Sequence, residues 1–327
     1  MKIAFITDGG LEMGVGHIYR CLTIGDELRG VGDIVFLTKS NTIVVNQIAD
    51  AGFNVIRLDS DNKLPGALEG AKPDIVIIDR LNVEQDFAEK LKNTLNTRLV
   101  VFENLSTANR YADVVVNAIL GSGFRNRTLW DENKHTLYFY GPRYLVLRKE
   151  FYEYNRKRKK AADKVARIVL IFGASDPSNL TSTALKELLT MTNDFKIDVI
   201  VGAHFVYFDE LNSVLIQHQD RKENVNIYKN AKNVSELMYK ADLVISAPGL
   251  SVFEALCVGT PVIAIHQSLF QKHGFEGFAR TLDKTEMNSL GGMISNADFI
   301  NPHDEHIARL DIGEGKEEVL RAIAGGQ

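Results

Sequence analysis

Cysteine is scarce in this 327-residue chain, and the two present, Cys21 and Cys257, sit among helix-like apolar residues. A disulfide-stapled fold is therefore not expected, and buried thiols acting as small hydrophobes in a reducing compartment fit the pattern. Long apolar runs are lacking too: none approaches the roughly 18 to 20 residues that a spanning helix needs. The N-terminus has no charged, then apolar, then small-residue succession of a signal peptide, so a cytoplasmic protein is expected. Neither sign of charge dominates. Lys and Arg number 38 against 42 Asp and Glu, a net charge of −4, so no protein-wide basic field exists to hold a nucleic acid. A phosphate would have to be held locally. Also missing are a Walker A lysine loop, a Gly-X-Ser-X-Gly elbow and a His-Glu-X-X-His pair, which removes the common signatures of P-loop NTPases, α/β-hydrolases and zinc proteases.

What is present is the balance of a folded globular protein, 45% hydrophobic and 24% charged. At about 150 residues per domain the length suggests two domains. Short β-branched runs alternate with segments of helical period, the pattern of βαβ units and parallel sheets, and they do so twice. The first set is Ile3–Thr7, Ile34–Thr38, Val55–Leu58, Ile75–Asp79, Leu99–Glu103 and Val114–Asn117. The second is Ile168–Phe172, Ile197–Val201, Val225–Tyr228, Leu243–Ser246 and Val262–His266. The expected fold is α/β, with two doubly wound, Rossmann-like domains over residues 1–148 and 164–327. A linker is expected at 149–163, where the basic run Arg156 to Lys160 reads as a solvated stretch or as an attraction to an anionic membrane or substrate. A final helix is expected over Gly315–Ala324, closed by Gly325 and Gly326.

Chemistry concentrates after the first strand of each half. Asp8 to His17 is a glycine-rich loop running into a helix-like segment from Ile18 to Arg29, so Gly14 and Gly16 permit close approach of backbone to a ligand. A dinucleotide is disfavoured because the second strand ends Phe36-Leu37-Thr38-Lys39, with no acidic residue for a ribose. His17 falls near a helix N-terminus, which disfavours imidazolium and suits a general base. A helix-capping or packing role is the alternative. Asp8 reads as a partner that orients His17, as a substrate contact or as a turn-former.

In the second half, Ile171 to Thr181 is another strand, small-residue turn and helix start, in which Asp176 or Ser178 reads as a helix cap. From Asp242 to Ile263 a strand meets a Pro248-Gly249 turn, a helix and the next strand. There Gly249, Leu250 and Ser251 could present N–H groups to a diphosphate, and Glu254 could accept from a ribose diol. Two acidic or histidine clusters, Asp59-Ser60-Asp61 and His303-Asp304-Glu305-His306, read as surface chemistry rather than metal sites.

Four blocks together carry a resemblance: Gly14 to Leu22, Gly141 to Phe151, Gly173 to Pro177, and Ala241 to Ile263. In this order and spacing the chain resembles the PseG-type UDP-sugar hydrolases of pseudaminic acid biosynthesis and the related spore coat polysaccharide protein SpsG family. It departs from them at Ile6-Thr7-Asp8, where an Arg-X-Asp is usual, at Gly173-Ala174 in place of Gly-Gly, and at Phe253 in place of a tryptophan. The resemblance implies a GT-B-like fold, the architecture of MurG-type glycosyltransferases, with the active site in a cleft between the domains. It implies His17 as the base in a metal-independent, inverting attack by water on the anomeric carbon. Nucleotide binding is implied at Gly173, Ser175, Gly249 to Ser251 and Glu254. Tyr144 and Arg148 fall in the interdomain block, as substrate contacts or hinge residues.

The expected function is hydrolysis of a UDP-linked deoxy-amino sugar, with Asp8 assisting His17 and without metal or cofactor. The expected partner is this small nucleotide-sugar, with no nucleic acid and no stable membrane insertion. Transfer of the sugar to a hydroxyl acceptor in surface polysaccharide synthesis is the second reading, with peripheral membrane contact as a corollary. A nucleotide-sugar binding protein without catalysis is the third.

Overall fold

The computed structural model describes residues 1–10, 14–80, 82–119, 125–155, 164–267, 274–275, 277–295 and 310–326. Eight strands form the first sheet: β1 (Lys2–Thr7), β2 (Asp33–Thr38), β3 (Asn54–Arg57), β4 (Ile75–Asp79), β5 (Arg98–Phe102), β6 (Val114–Asn117), β7 (Arg127–Asp131) and β8 (Thr136–Tyr140). Their order is β3-β2-β1-β4-β5-β6-β8-β7, parallel throughout except for the β7–β8 pair. The inner strands are buried on both faces, which is why Ile75–Asp79 and Val114–Asn117 read as unbroken apolar runs. One face packs Ile6, Leu37, Ile78 and Val101 into a core with Leu64 and Leu91. Phe5 stacks on Phe36 at 4.8 Å between centroids.

The second sheet has β9 (Arg167–Ile171), β10 (Lys196–Val201), β11 (Val225–Lys229), β12 (Leu243–Ser246), β13 (Val262–His266) and β14 (Arg280–Asp283), in the order β11-β10-β9-β12-β13-β14. All of its pairings are parallel. Its core joins Leu170, Val199 and Ile245 to Leu185 and Leu188 of the helix Leu180–Thr190.

Contacts divide the chain into one unit of Met1–Leu147 with Leu310–Gln327 and another of Arg148–Arg309. This corrects two expectations. The last helix, Lys316–Ala324, belongs with the first sheet: Arg143 Nη2 bonds Glu318 at 2.9 Å, and Arg98 Nε donates to the Ala322 carbonyl at 2.9 Å. Residues 149–155 are not linker but helix, Lys149–Asn155, anchored by a fully buried Phe151. A segment of under two turns with one large apolar residue shows no period, so the sequence hid it. The basic run 156–160 and the cluster 303–306 lie outside the described residues.

Candidate active site

In each sheet the chain builds outward in one direction from its first strand and then returns to build in the other. The reversal leaves a crevice at the carboxyl ends of two neighbouring strands, where α/β folds bind ligands. In the first unit these strands are β1 and β4, with Thr7 in register with Asp79. Beyond β1 the glycine loop folds on itself, Gly10 N–H donating to the Gly14 carbonyl at 3.0 Å. Gly14 is left-handed at φ +74°, a conformation that favours glycine. The loop delivers the chain to the helix Gly16–Leu28, which buries Ile18, Cys21, Leu22, Gly25 and Leu28 at helical spacing. Its N-cap, Val15, offers no side-chain acceptor and its first turn holds no acid, so among the described residues no side chain caps its N-terminal N–H groups.

His17 opens that helix, and its Nδ1 lies 2.6 Å from Oδ1 of Asp79, the last residue of β4. A carboxylate only accepts, so Nδ1 carries the proton and Nε2 presents a lone pair. Asp79 has no exposed surface. Arg20, one turn further along the helix, grips both its oxygens, Nε to Oδ2 at 2.6 Å and Nη2 to Oδ1 at 2.7 Å. Burial alone would raise the Asp79 carboxyl, but Arg20 and His17 overcome it and hold the group well below the usual carboxylate range. The same pairing outweighs burial at Arg20 and raises its guanidinium. Cys21 Sγ stands 3.7 Å from Oδ2, and burial followed by the charge of Asp79 pushes its thiol up. Arg20 Nη1 in turn lies 3.8 Å from Oε1 of the buried Glu103, whose carboxylate accepts from the Ile119 N–H.

Asp8 does not orient His17. Its carboxylate accepts from the Lys39 N–H at 2.7 Å and from Thr38 Oγ1 at 3.2 Å, and it pairs with Arg80 Nε at 2.8 Å. Arg80 also holds Asp61 at 2.7 Å, and Lys39 Nζ holds the same carboxylate at 2.5 Å. Asp61 of the Asp59-Ser60-Asp61 cluster is thus already matched by two cations. Among the described residues no three His, Cys, Asp or Glu side chains converge as a metal site requires.

In the second unit the crevice lies between β9 and β12. Gly173, left-handed at φ +81°, turns the chain out of β9. The following loop is held close, since a Cβ on Gly202 would sit 2.4 Å from Ala174 Cα. Ser175 is buried in this turn. Asp176 caps its own helix, accepting from the N–H groups of Leu180 and Thr181 at 2.9 and 2.8 Å, so the start of Leu180–Thr190 is already occupied. Burial pushes the Asp176 carboxyl up, and those bonds offset part of the rise.

The helix Leu250–Cys257 is different: Gly249 is its N-cap, no side chain caps it, and its first turn carries no acid. Its N–H groups, with Ser251 beside them, are those suited to an anion. One turn in, Glu254 Oε1 accepts from Arg148 Nε at 3.2 Å and Nη2 at 3.0 Å. Burial raises the Glu254 carboxyl, and Arg148 opposes the rise.

Tyr144, read as a substrate contact or a hinge residue, is buried: its ring packs against Gly315 and its hydroxyl bonds Thr128 Oγ1 at 2.7 Å, so it fastens the C-terminal segment to the first unit. The residues that sequence reasoning missed are Asp79, Arg20 and Glu103. Each left a signal, a charged residue either at the carboxyl end of an apolar strand or on the buried face of an apolar helix.

No family model matches the chain. It is 44% identical over 328 residues to uncharacterized protein MJ1062 of Methanocaldococcus jannaschii, covering 99% of this chain and 66% of that protein. The chain therefore spans just under two thirds of the length of that relative. To the spore coat polysaccharide biosynthesis protein SpsG of Bacillus subtilis it is 24% identical over 285 residues, 85% of this chain and 81% of SpsG. MurG of Acinetobacter baumannii superposes with a TM-score of 0.63 at 14% identity, over 99% of this chain and all of that one. The calicheamicin glycosyltransferase CalG4 gives 0.61 at 14% identity, over 99% and 98%. Anabaena HepE, solved with UDP-glucose, gives 0.54 at 14% identity, over 98% and 94%. With two Rossmann-like units matched along their whole length by such structures, the chain has the GT-B fold and is a distant homologue of SpsG.

Proposed function

We propose that the chain is a GT-B-type enzyme that hydrolyses a UDP-linked deoxy-amino sugar, with His17 as the general base. The observation that carries this reading is the His17–Asp79 pair: a buried carboxylate fixes the tautomer and leaves Nε2 as the proton acceptor. Nε2 takes a proton from water, the water oxygen forms its bond to the anomeric carbon, and the bond from that carbon to the diphosphate oxygen breaks. The electron pair leaves with UDP, and the anomeric centre inverts. N–H groups at the start of Leu250–Cys257 stabilise the charge that develops on the diphosphate, a role that requires no cofactor. Glu254 receives the ribose hydroxyls, and the turn at Gly173 lets backbone come close to the nucleotide. The UDP-glucose bound by HepE and the polysaccharide role in the name of SpsG support a nucleotide-sugar substrate.

Transfer to a hydroxyl acceptor is the second reading, favoured by the likeness to CalG4, a glycosyltransferase. The same base would then deprotonate an alcohol. Release of UDP from candidate UDP-sugars, measured in EDTA with and without acceptor alcohols, separates the two. Release without acceptor marks the hydrolase, and release only with acceptor marks the transferase. Tight binding without turnover would leave a binding protein and overturn both.

A further inference from the structure

Behind His17 the buried charges form a line of alternating sign: Asp79 on β4, Arg20 on the helix, and Glu103 just after β5. Arg20 touches both oxygens of Asp79, and its Nη2 stands 3.3 Å from His17 Nδ1. Because both of those nitrogens carry hydrogen, this last contact is a crowding of two donors and not a bond. Asp79 thus meets the imidazole with its negative charge largely balanced, and the balancing cation itself faces the ring. The other charged groups at this edge close on one another, Asp8 with Arg80 and Asp61 with Arg80 and Lys39. Cys21 adds a thiol that burial keeps protonated.

We propose that Arg20 and Glu103 are positioning residues that set the pH at which His17 takes up a proton, Arg20 lowering it and Glu103 limiting how far it is lowered. Asp79 then orients the imidazole through Nδ1 while Arg20 balances its charge. Neither residue needs to touch substrate. The inference rests on the base role proposed for His17, but it concerns a property measurable without turnover.

The test is 15N NMR titration of the ring nitrogens in the full chain, with the His17 signal, one of eight histidines, assigned by its loss in His17→Ala. In Arg20→Met the His17 midpoint is expected to rise by about one pH unit or more, the size of shift that a neighbouring charge produces. The acid limb of the turnover profile should move with it, and Arg20→Lys should bring both most of the way back. Glu103→Gln, whose amide oxygen can still accept from Ile119, is expected to move the midpoint the other way. Should Arg20→Met fail to fold, Glu103→Gln decides alone. A His17 midpoint unmoved in the folded variants overturns the proposal. If the midpoints move as expected while His17→Ala retains turnover, the proton tuning stands and the base role falls.

Discussion

His17 and Asp79 are 62 positions apart in the chain and 2.6 Å apart in space. The contact exists because β1 and β4, with two strands between them in the chain, are neighbours in the sheet. The strand order, more than either residue's own surroundings, makes the pair.

Replacing the imidazole should remove the base and spare the nucleotide site. His17→Ala is expected to lower turnover by about 10²- to 10⁴-fold, the usual contribution of a general base. UDP affinity, measured by calorimetry, should stay within about threefold of the unmodified protein, a difference of less than 1 kcal/mol. Normal turnover would end the mechanism.

Asp79→Asn leaves the buried Arg20 with only the more distant Glu103 as counter-ion and should destabilise the protein by about 3 kcal/mol, read by urea unfolding. The pH dependence has a definite sign. The Asp79 carboxyl is held down in the folded state, so the stability it contributes is complete above the unfolded value near ~3.9 and is lost as pH falls below it. The acid side of the stability curve should therefore be shallower in Asp79→Asn.

Glu254 behaves oppositely. Its carboxyl is raised by burial, so ionisation costs the folded state more than the unfolded one, and stability is lost as pH climbs past the unfolded value near ~4.3. Glu254→Gln should be no less stable than the parent at pH 7 in thermal unfolding. UDP should bind about tenfold or more weakly, as expected when hydrogen bonds to a charged group are lost.

Two glycines of the second unit should separate folding from binding. Gly202→Ala drives a Cβ to 2.4 Å from Ala174 Cα and 2.6 Å from its oxygen, and a loss of about 1 to 3 kcal/mol is expected. A Cβ on Gly249 meets nothing within 4 Å, and its backbone is extended at φ 173°. Gly249→Ala should unfold at the parent temperature but bind UDP less well, because the added methyl stands at the start of the proposed diphosphate helix.

Buried parallel strands were plain in the sequence because they are apolar on both faces: the runs at β4, β6, β12 and β13 match to the residue. The strands β7, β8 and β14 were not seen. Four of the five residues of β7 are exposed, and β14 reads Arg280-Thr281-Leu282-Asp283, so neither has the run that burial imposes. His17, Gly249 and Glu254 stood out as candidates because helix starts after parallel strands leave local marks. Asp79 could not be paired with His17, since nothing local to either shows which strands will be neighbours. Tyr144 was read from the interdomain block as a substrate contact or a hinge residue, and nothing local to it shows that Gly315, 171 positions on, lies against its ring.

The return of Leu310–Gln327 to the first unit also bears on the order of assembly during synthesis. The ribosome releases residues 148–309 as one uninterrupted stretch, and among the described residues the second sheet and its core draw on nothing beyond them. The first unit, begun earlier, waits for the last helix to cover Arg98 and Tyr144. A nascent chain therefore carries the unit that holds His17 unfinished while the unit that holds Glu254 can already fold.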